Sequence, residues 1–224
     1  MMDPIIERIT QIRQGLPPSV KLIAVTKGVS VAGIRIAYGA GIRDFGESRV
    51  QEATAKQAQL EDLSDIIWHF IGHLQTNKVS KALQQFQWIH SVESLKLAQR
   101  LNECAQSLSS PPQICLQVKM MPDPQKQGWT VPELWADLPA LNQCQFLQIQ
   151  GLMTICPWGL SEPEILEIFQ GVRELAGTIN EKYGPGSHLH LHQLSMGMSG
   201  DYHLAVQAGA TMVRLGRILF GERV

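Results

Sequence analysis

The sequence predicts an α/β protein built as a single (β/α)8 barrel of the TIM type, with an extra N-terminal helix. Strand-like and helix-like stretches alternate along the whole chain, which is the pattern of parallel strands joined by helices. The 224 residues, 44% of them hydrophobic, are enough for one substantial core. No GxGxxG turn follows the first strand, which counts against a doubly wound dinucleotide-binding sheet, the competing architecture. We therefore expect residues 1–224 to form one barrel domain.

The predicted strands are short apolar stretches, each followed by a turn or a helix-like segment. The first, KLIAVTK, is apolar from Leu22 to Thr26 and ends at Lys27. The short RDFGES is the second, and IIWHFIGH, QWIHSVES and ICLQVKM are the third to fifth. FLQIQGLMTIC and HLHLHQLSMG are the sixth and seventh. The whole of TMVRLGRILFG is predicted as the eighth strand, and the chain ends three residues later.

The helix-like stretches lie between these strands. The N-terminal MMDPIIERITQIRQ has polar patterning and precedes the first strand, so we expect a helix that flanks the barrel rather than a signal peptide. SVAGIRIAYGAG is amphipathic and closed by glycines, and RVQEATAKQAQLEDL is a helix with exposed charges. Pro132 fits the first turn of TVPELWADLPALN. The remaining helices are TNKVSKALQQF, SLKLAQRLNECAQSL, EPEILEIFQGVRELAGTINEKY and SGDYHLAVQAG.

Charge and cysteine content narrow the class of protein. The formal charge of -1 leaves no basic excess to hold a nucleic-acid backbone. The four cysteines form no CxxC pair, and Cys115 and Cys156 lie in apolar runs, so we expect reduced thiols. No apolar run approaches the length needed to cross a bilayer. We therefore expect a soluble cytoplasmic protein without nucleic-acid or membrane partners.

Lys27 is the first candidate for chemistry, because it places an ammonium group directly after an apolar strand. Sites in TIM barrels gather at the carboxyl ends of the strands, so the amine is expected to point into the barrel mouth. Partial burial favours the neutral amine, which attacks a carbonyl carbon and forms an imine. Taken alone, the residue leaves open the alternative of a solvated, structural lysine.

The ends of the last two strands offer donors for a phosphate. LSMGMSGD supplies the hydroxyls of Ser195 and Ser199 around Gly197, and VRLGR supplies Gly216, where backbone N–H groups can be approached closely. Such N–H groups and hydroxyls are suitable partners for a phosphate. The alternative is that Ser199 or Asp201 caps the following helix, and the two roles are compatible.

An imine-forming lysine opposite a phosphate site indicates pyridoxal 5'-phosphate as the ligand. Its aldehyde would meet Lys27, and its phosphate would meet the last two loops. Arg214 lies two residues before Gly216 and therefore on the same face of the strand, within reach of the pyridine nitrogen. A permanent cation there keeps that nitrogen unprotonated, which makes the ring a weak electron sink.

Motifs along nearly the whole chain resemble those of the pyridoxal-phosphate homeostasis proteins, whose fold is like the barrel domain of alanine racemase. They are AVTK, DFGESRVQEA, WHFIGHLQTNK, SVES, GLMTI, LSMGMSGDY and VRLGRILFG, and their combination is specific although no single motif is. The resemblance implies a barrel of the alanine racemase N-terminal-domain type. One departure is Ser48 in FGES, where many relatives have Asn, which puts one contact to the ring or to a neighbouring loop in doubt.

The resemblance also implies how the cofactor is held. Lys27 would carry pyridoxal 5'-phosphate as an internal aldimine, and Arg214 would face the pyridine nitrogen. The phosphate would be served by Ser195 and by the backbone N–H groups of Gly216 and Arg217. Further residues expected around the same mouth are Met153, His73 and Ser199.

The resemblance implies a carrier and regulator of vitamin B6 and amino-acid balance without catalysis, with apoenzymes or a regulatory protein as partners. Racemisation needs an acid/base group on each face of the substrate. In enzymes like alanine racemase one such group is a tyrosine from a partner's C-terminal domain. We expect that domain to be absent, which favours a monomer and leaves Tyr202 as the one plausible tyrosine. A pyridoxal-dependent racemase or lyase, and an aldolase-type lysine enzyme for a phosphorylated sugar, stay open.

The sequence HLHLH resembles a strand-borne metal site, because His188, His190 and His192 alternate in it. If Ser195 points into the mouth, strand alternation turns these three histidines toward the surrounding helices. We therefore predict no metal site.

Overall fold

The computed structural model describes residues 3–221 and contains a closed ring of parallel strands, which confirms the predicted fold class. Within that range the strands are β1 (Lys21–Val25), β2 (Asp44–Glu47), β3 (Ile67–Phe70), β4 (Trp88–Val92), β5 (Gln113–Lys119), β6 (Trp129–Thr130), β7 (Gln148–Met153), β8 (Leu189–Ser195) and β9 (Met212–Leu215). The ring runs β1-β2-β3-β4-β5-β7-β8-β9 and closes by the pairing of β9 with β1. The two-residue β6 lies outside the ring and pairs with β5.

Helices cover the outside of the ring. Over the described residues they are α1 (Pro4–Gly15), α2 (Val31–Gly39), α3 (Val50–Gln57), α4 (Val79–Gln85), α5 (Leu95–Ala105), α6 (Val131–Leu141), α7 (Glu162–Tyr183), α8 (Tyr202–Gln207) and α9 (Arg217–Phe220), with a 3-10 turn at Thr76–Lys78. The extra helix α1 precedes the first strand and packs against α2 and α9, as expected for a helix that flanks the barrel. None of these helices, within residues 3–221, is both long and apolar enough to cross a membrane.

Capping residues define several helix ends. Asp3 accepts a hydrogen bond from the Ile5 N–H at 2.8 Å and begins α1. The helix α7 has the bounds that the sequence predicts, because a capping box between Ser161 and Glu164 starts it and Gly184, with φ 68°, ends it. Because both ends carry strong capping signals, both bounds of α7 can be predicted from the sequence.

Two predicted elements extend well beyond the observed ones, whereas most others differ by up to three residues at either end. The predicted eighth strand stops at Leu215, because Gly216 turns to φ -121° and ψ -79° and its carbonyl accepts the N–H groups of Leu219 and Phe220. The predicted helix RVQEATAKQAQLEDL ends at Gln57. The chain then turns and buries Leu60, which is 3% exposed.

The barrel interior holds a small apolar cluster that is separate from the core between strands and helices. It contains Ile23, Trp88, Cys115, Met153 and Met212. Because side chains alternate along a strand, the same parity places Arg214 of β9 on the inward face as well. Burial raises the pKa of the Cys115 thiol to about 12, so this cysteine behaves as an apolar side chain.

Candidate functional site

The carboxyl ends of β1, β8 and β9 lie side by side at one mouth of the barrel. Ile23 of β1 is paired with Arg214 of β9, and a Cβ on Gly216 would lie 3.4 Å from the Val25 carbonyl oxygen. Lys27 follows two residues after Val25, is half-buried, and keeps the parity of Ile23. Lys27 and Gly216 therefore follow the carboxyl ends of two neighbouring strands of the barrel.

Side chains of α3 fix the two residues on either side of Lys27. Lys56 Nζ donates to the Thr26 carbonyl oxygen and to Glu52 Oε1, both at 2.7 Å. The Gly28 N–H donates to the same Glu52 oxygen at 2.7 Å. Since Thr26 and Gly28 are the chain neighbours of Lys27, these bonds set the path of the backbone that carries the amine.

Glu47, at the end of β2, completes this arrangement. Its Oε1 accepts hydrogen bonds from Lys56 Nζ at 2.8 Å and from Thr26 Oγ1 at 2.6 Å, and its side chain is 0% exposed. Burial raises the pKa of Glu47 despite the opposing hydrogen bonds from Lys56 and Thr26. We call Glu47, Glu52 and Lys56 the α3 clamp. Sequence reasoning did not identify it, although Glu52 and Lys56 stand four residues apart on one helix face.

Arg214 lies inside the barrel and is 4% exposed. Its Nη1 donates to the Ser195 carbonyl oxygen at 2.6 Å and to Ser195 Oγ at 2.8 Å, and its Nη2 donates to the Thr154 carbonyl oxygen at 2.9 Å. Burial lowers the pKa of Arg214 to about 10, so the guanidinium stays cationic at neutral pH. This inward position leaves its role at the pyridine nitrogen a prediction.

The Ser195 hydroxyl is fully buried and belongs to a row of hydrogen bonds across the barrel. Its Oγ lies 2.7 Å from His90 Nδ1, and His90 Nε2 lies 2.8 Å from His69 Nδ1. His69 Nε2 lies 2.9 Å from Asp44 Oδ1, which also contacts Lys21 Nζ at 3.0 Å. We call Asp44, His69 and His90 the interior row. The hydroxyl that the sequence assigned to the phosphate is thus engaged by His90 and Arg214.

Burial determines the charge of the interior row. It lowers the pKa of His69, against a raising contribution from Asp44, and it lowers that of His90 well below the usual value, helped by the positive charge of Arg214. Burial alone would raise the pKa of Asp44, but its bonds to His69 and Lys21 outweigh this effect and lower it. At neutral pH the row therefore consists of two neutral imidazoles and one carboxylate. Sequence reasoning missed all three residues.

The other predicted site residues surround the mouth at different depths. Met153 is 1% exposed and is the strand partner of Ser195, so it lies deep in the interior. His73 is exposed, and its Nδ1 lies 2.7 Å from Glu93 Oε1. Arg217 begins α9 with an exposed side chain, which is compatible with a role of its backbone alone.

Ser199 is half-buried in the loop between β8 and α8. This loop does not use a side chain to cap α8, because Asp201 accepts instead from the Met198 N–H at 2.6 Å. Gly197 in the same loop has φ 91°, a backbone conformation that favours glycine. The alternative that the side chain of Ser199 or Asp201 caps this helix is therefore wrong.

Known proteins that are similar in sequence to this chain identify its family. The alanine racemase N-terminal domain family matches residues 2–224. The pyridoxal phosphate homeostasis protein of Synechocystis sp. is 53% identical over 209 residues, covering 93% of this chain and 94% of the relative. That of Pseudomonas aeruginosa is 42% identical over 207 residues, covering 92% and 86%.

Solved structures with the same fold are also similar to this chain. PipY of Synechococcus elongatus with pyridoxal phosphate bound is 51% identical, with a TM-score of 0.92 over 97% of this chain and 100% of that one. Alanine racemase of Clostridium difficile, at 17% identity, shares the fold with a TM-score of 0.77 over 99% of this chain and 57% of the enzyme. The chain belongs to the alanine racemase N-terminal domain family and, within it, to the pyridoxal phosphate homeostasis proteins.

Proposed function

We propose that this protein binds pyridoxal 5'-phosphate at the barrel mouth, covalently through Lys27, and contributes to intracellular vitamin B6 and amino-acid homeostasis without catalysis. What supports the proposal most is that Lys27 follows the end of β1, which pairs with the strand that carries the buried Arg214 and ends just before Gly216. The 51% identical PipY, solved with pyridoxal phosphate bound, supports the choice of ligand.

The residues present fit this ligand. Pyridoxal 5'-phosphate supplies an aldehyde, whose C=O is replaced by a C=N bond to an amine with release of one water. Lys27 provides the amine, held in place by the α3 clamp. Arg214 provides a desolvated cation for the pyridine nitrogen, and the backbone N–H groups of Gly216 and Arg217 are proposed to bind the phosphate. Ser199 and His73 would line the rim of the site, and Met153 would line its deeper part.

The charge of Arg214 favours a carrier over an enzyme. A pyridine nitrogen that faces a cation stays unprotonated, so the ring withdraws electrons weakly and a carbanion beside it is poorly stabilised. A racemase or lyase is the alternative. Tyr202, half-buried at the start of α8, keeps that alternative testable because it follows the loop that carries Ser199.

We further propose a single domain over residues 1–224 that acts as a cytoplasmic monomer and passes the cofactor to apoenzymes or meets a regulatory protein. The four free cysteines support a reducing compartment. Burial raises the pKa of Cys156 to about 12, which keeps this thiol protonated and unreactive.

The test is an absorption titration with pyridoxal 5'-phosphate on three proteins: wild type, Lys27→Ala and Lys21→Met. Lys21 lies at the opposite end of the same strand and serves as the matched control. We expect a visible band with wild type and Lys21→Met and none with a folded Lys27→Ala. An undiminished band in Lys27→Ala would remove Lys27 from the proposal. Conversion of L-alanine to D-alanine by the loaded wild type would favour the racemase.

A further inference from the structure

The interior row has one possible direction of hydrogen bonding. The Asp44 carboxylate only accepts, so His69 must carry its hydrogen on Nε2. A neutral His69 then has a bare Nδ1, which accepts from His90 Nε2–H. A neutral His90 in turn presents a bare Nδ1, and Ser195 Oγ–H is the donor that faces it at 2.7 Å.

This direction fixes what the Ser195 hydroxyl can do. Its single hydrogen is used by His90, and its lone pairs face Arg214 Nη1 at 2.8 Å. A hydroxyl in this state accepts from a cation and has no hydrogen left for a phosphate oxygen. The Ser195 and Thr154 carbonyl oxygens complete the support of the guanidinium.

Packing holds the imidazole rings in the orientation that this direction requires. His69 and His90 are both 0% exposed. The His69 ring stacks on Trp88 with centroids 6.0 Å apart and an interplanar angle of 10°. Buried imidazoles without partners would be costly, so a row in which every ring nitrogen is satisfied resists a ring flip.

We propose that Asp44, His69 and His90 are positioning residues, which commit the Ser195 hydroxyl as an acceptor for Arg214 and so hold the guanidinium at the cofactor ring. Ser195 then acts through Arg214 and not as a phosphate donor. The part of this inference that concerns the cofactor ring rests on the proposed function. The direction of the hydrogen bonds does not.

The first test reads that direction without any cofactor. Ring ¹⁵N NMR spectra of the wild-type protein near pH 7.5 distinguish protonated from bare ring nitrogens. We expect His69 and His90 both to be neutral and protonated on Nε2. A His90 ring protonated on Nδ1 overturns the proposal, whatever the protein binds.

The second test measures pyridoxal 5'-phosphate affinity in His90→Leu, His90→Asn and the control His192→Leu. His90→Leu removes the acceptor for Ser195, and we expect about ten-fold weaker binding. His90→Asn places an oxygen near the former Nδ1, and we expect it to restore affinity to within about three-fold of wild type. His192→Leu removes an exposed histidine of β8 that lies outside the interior row, and it should bind as wild type does.

Two outcomes of this titration overturn the proposal. One is wild-type affinity in His90→Leu. The other is a His90→Asn variant as weak as His90→Leu, which would show that His90 acts through packing alone. If wild type itself does not bind the cofactor, the proposed function fails, and the NMR spectra still decide the direction of the row.

Discussion

Replacing Lys56 by Met tests the α3 clamp. The substitution keeps the apolar stem of the side chain and removes the ammonium group that joins Glu47, Glu52 and the Thr26 carbonyl. Both carboxylates then lose the same cation. We expect the folded protein to be destabilised and the backbone at Lys27 to be held less firmly.

The size of the effect follows from the burial of the two carboxylates. Glu52 is 26% exposed and can be rehydrated, whereas Glu47 is 0% exposed and cannot. Leaving one buried charge without its partner costs about 3–5 kcal/mol, and the Thr26 hydroxyl, which still donates to Glu47, favours the lower end, about 3 kcal/mol. For a chain of this length that corresponds to a fall in melting temperature of about 6–12 °C.

The pH dependence of the loss has a definite sign. Burial already raises the pKa of Glu47, and removal of Lys56 raises it further. An acid whose pKa is higher in the folded state binds more protons when folded, so the folded variant gains stability as the pH falls. The deficit relative to wild type should therefore shrink between pH 7 and pH 5.

Urea unfolding of wild type, Lys56→Met and the double variant Glu47→Gln/Lys56→Met, at pH 7 and pH 5, measures the loss in unfolding free energy and its pH dependence. The double variant removes the buried charge together with its partner, so it should regain at least half of the stability lost in Lys56→Met. A loss below about 1 kcal/mol in Lys56→Met, or a double variant less stable than the single one, would show that Lys56 does not compensate the buried charge of Glu47.

Three further predictions concern the interior and the mouth. Arg214→Gln should weaken pyridoxal 5'-phosphate binding at least about ten-fold in an absorption titration, because a desolvated cation is lost; equal affinity would remove Arg214 from the site. Gly197→Ala should cost about 1–3 kcal/mol in urea unfolding, because φ is 91° and the new Cβ would lie 2.6 Å from a side chain of α8. Gly200→Ala, with open space and no such φ, is its control, and equal losses in the two would contradict the loop geometry. Acidification below about pH 6.5 should lower the unfolding free energy by up to about 1.4 kcal/mol per pH unit for each of His69 and His90, because only the unfolded chain takes up the protons; His90→Leu should flatten this slope, and a wild-type melting temperature that is constant from pH 7 to pH 5 would contradict it.

The barrel and its mouth could be predicted because their signals are periodic and local. Strand and helix periods alternate along the chain, and alternation within a strand places Arg214 inward once the strand is recognised. Lys27 stands out because a charged residue ends an apolar run. The bounds of α7 were readable because a capping box and a glycine mark its two ends.

The interior row and the α3 clamp could not be predicted, because they depend on contacts between elements distant in sequence. His90 and Ser195 are 105 residues apart, and their contact follows from the closure of the barrel. The ammonium of Lys56 reaches the Thr26 carbonyl because α3 packs against the ends of the first two strands. The end of β9 was missed because Gly216 changes direction inside an apolar run that otherwise continues.

Borohydride reduction followed by peptide mass mapping shows whether Lys27 carries pyridoxal 5'-phosphate. Reduction converts the C=N bond into a stable amine linkage, so the modified lysine can be identified. We expect one dominant adduct, on the peptide that contains Lys27, formed at stoichiometric cofactor. An adduct spread over surface lysines, or its absence from Lys27, would contradict it.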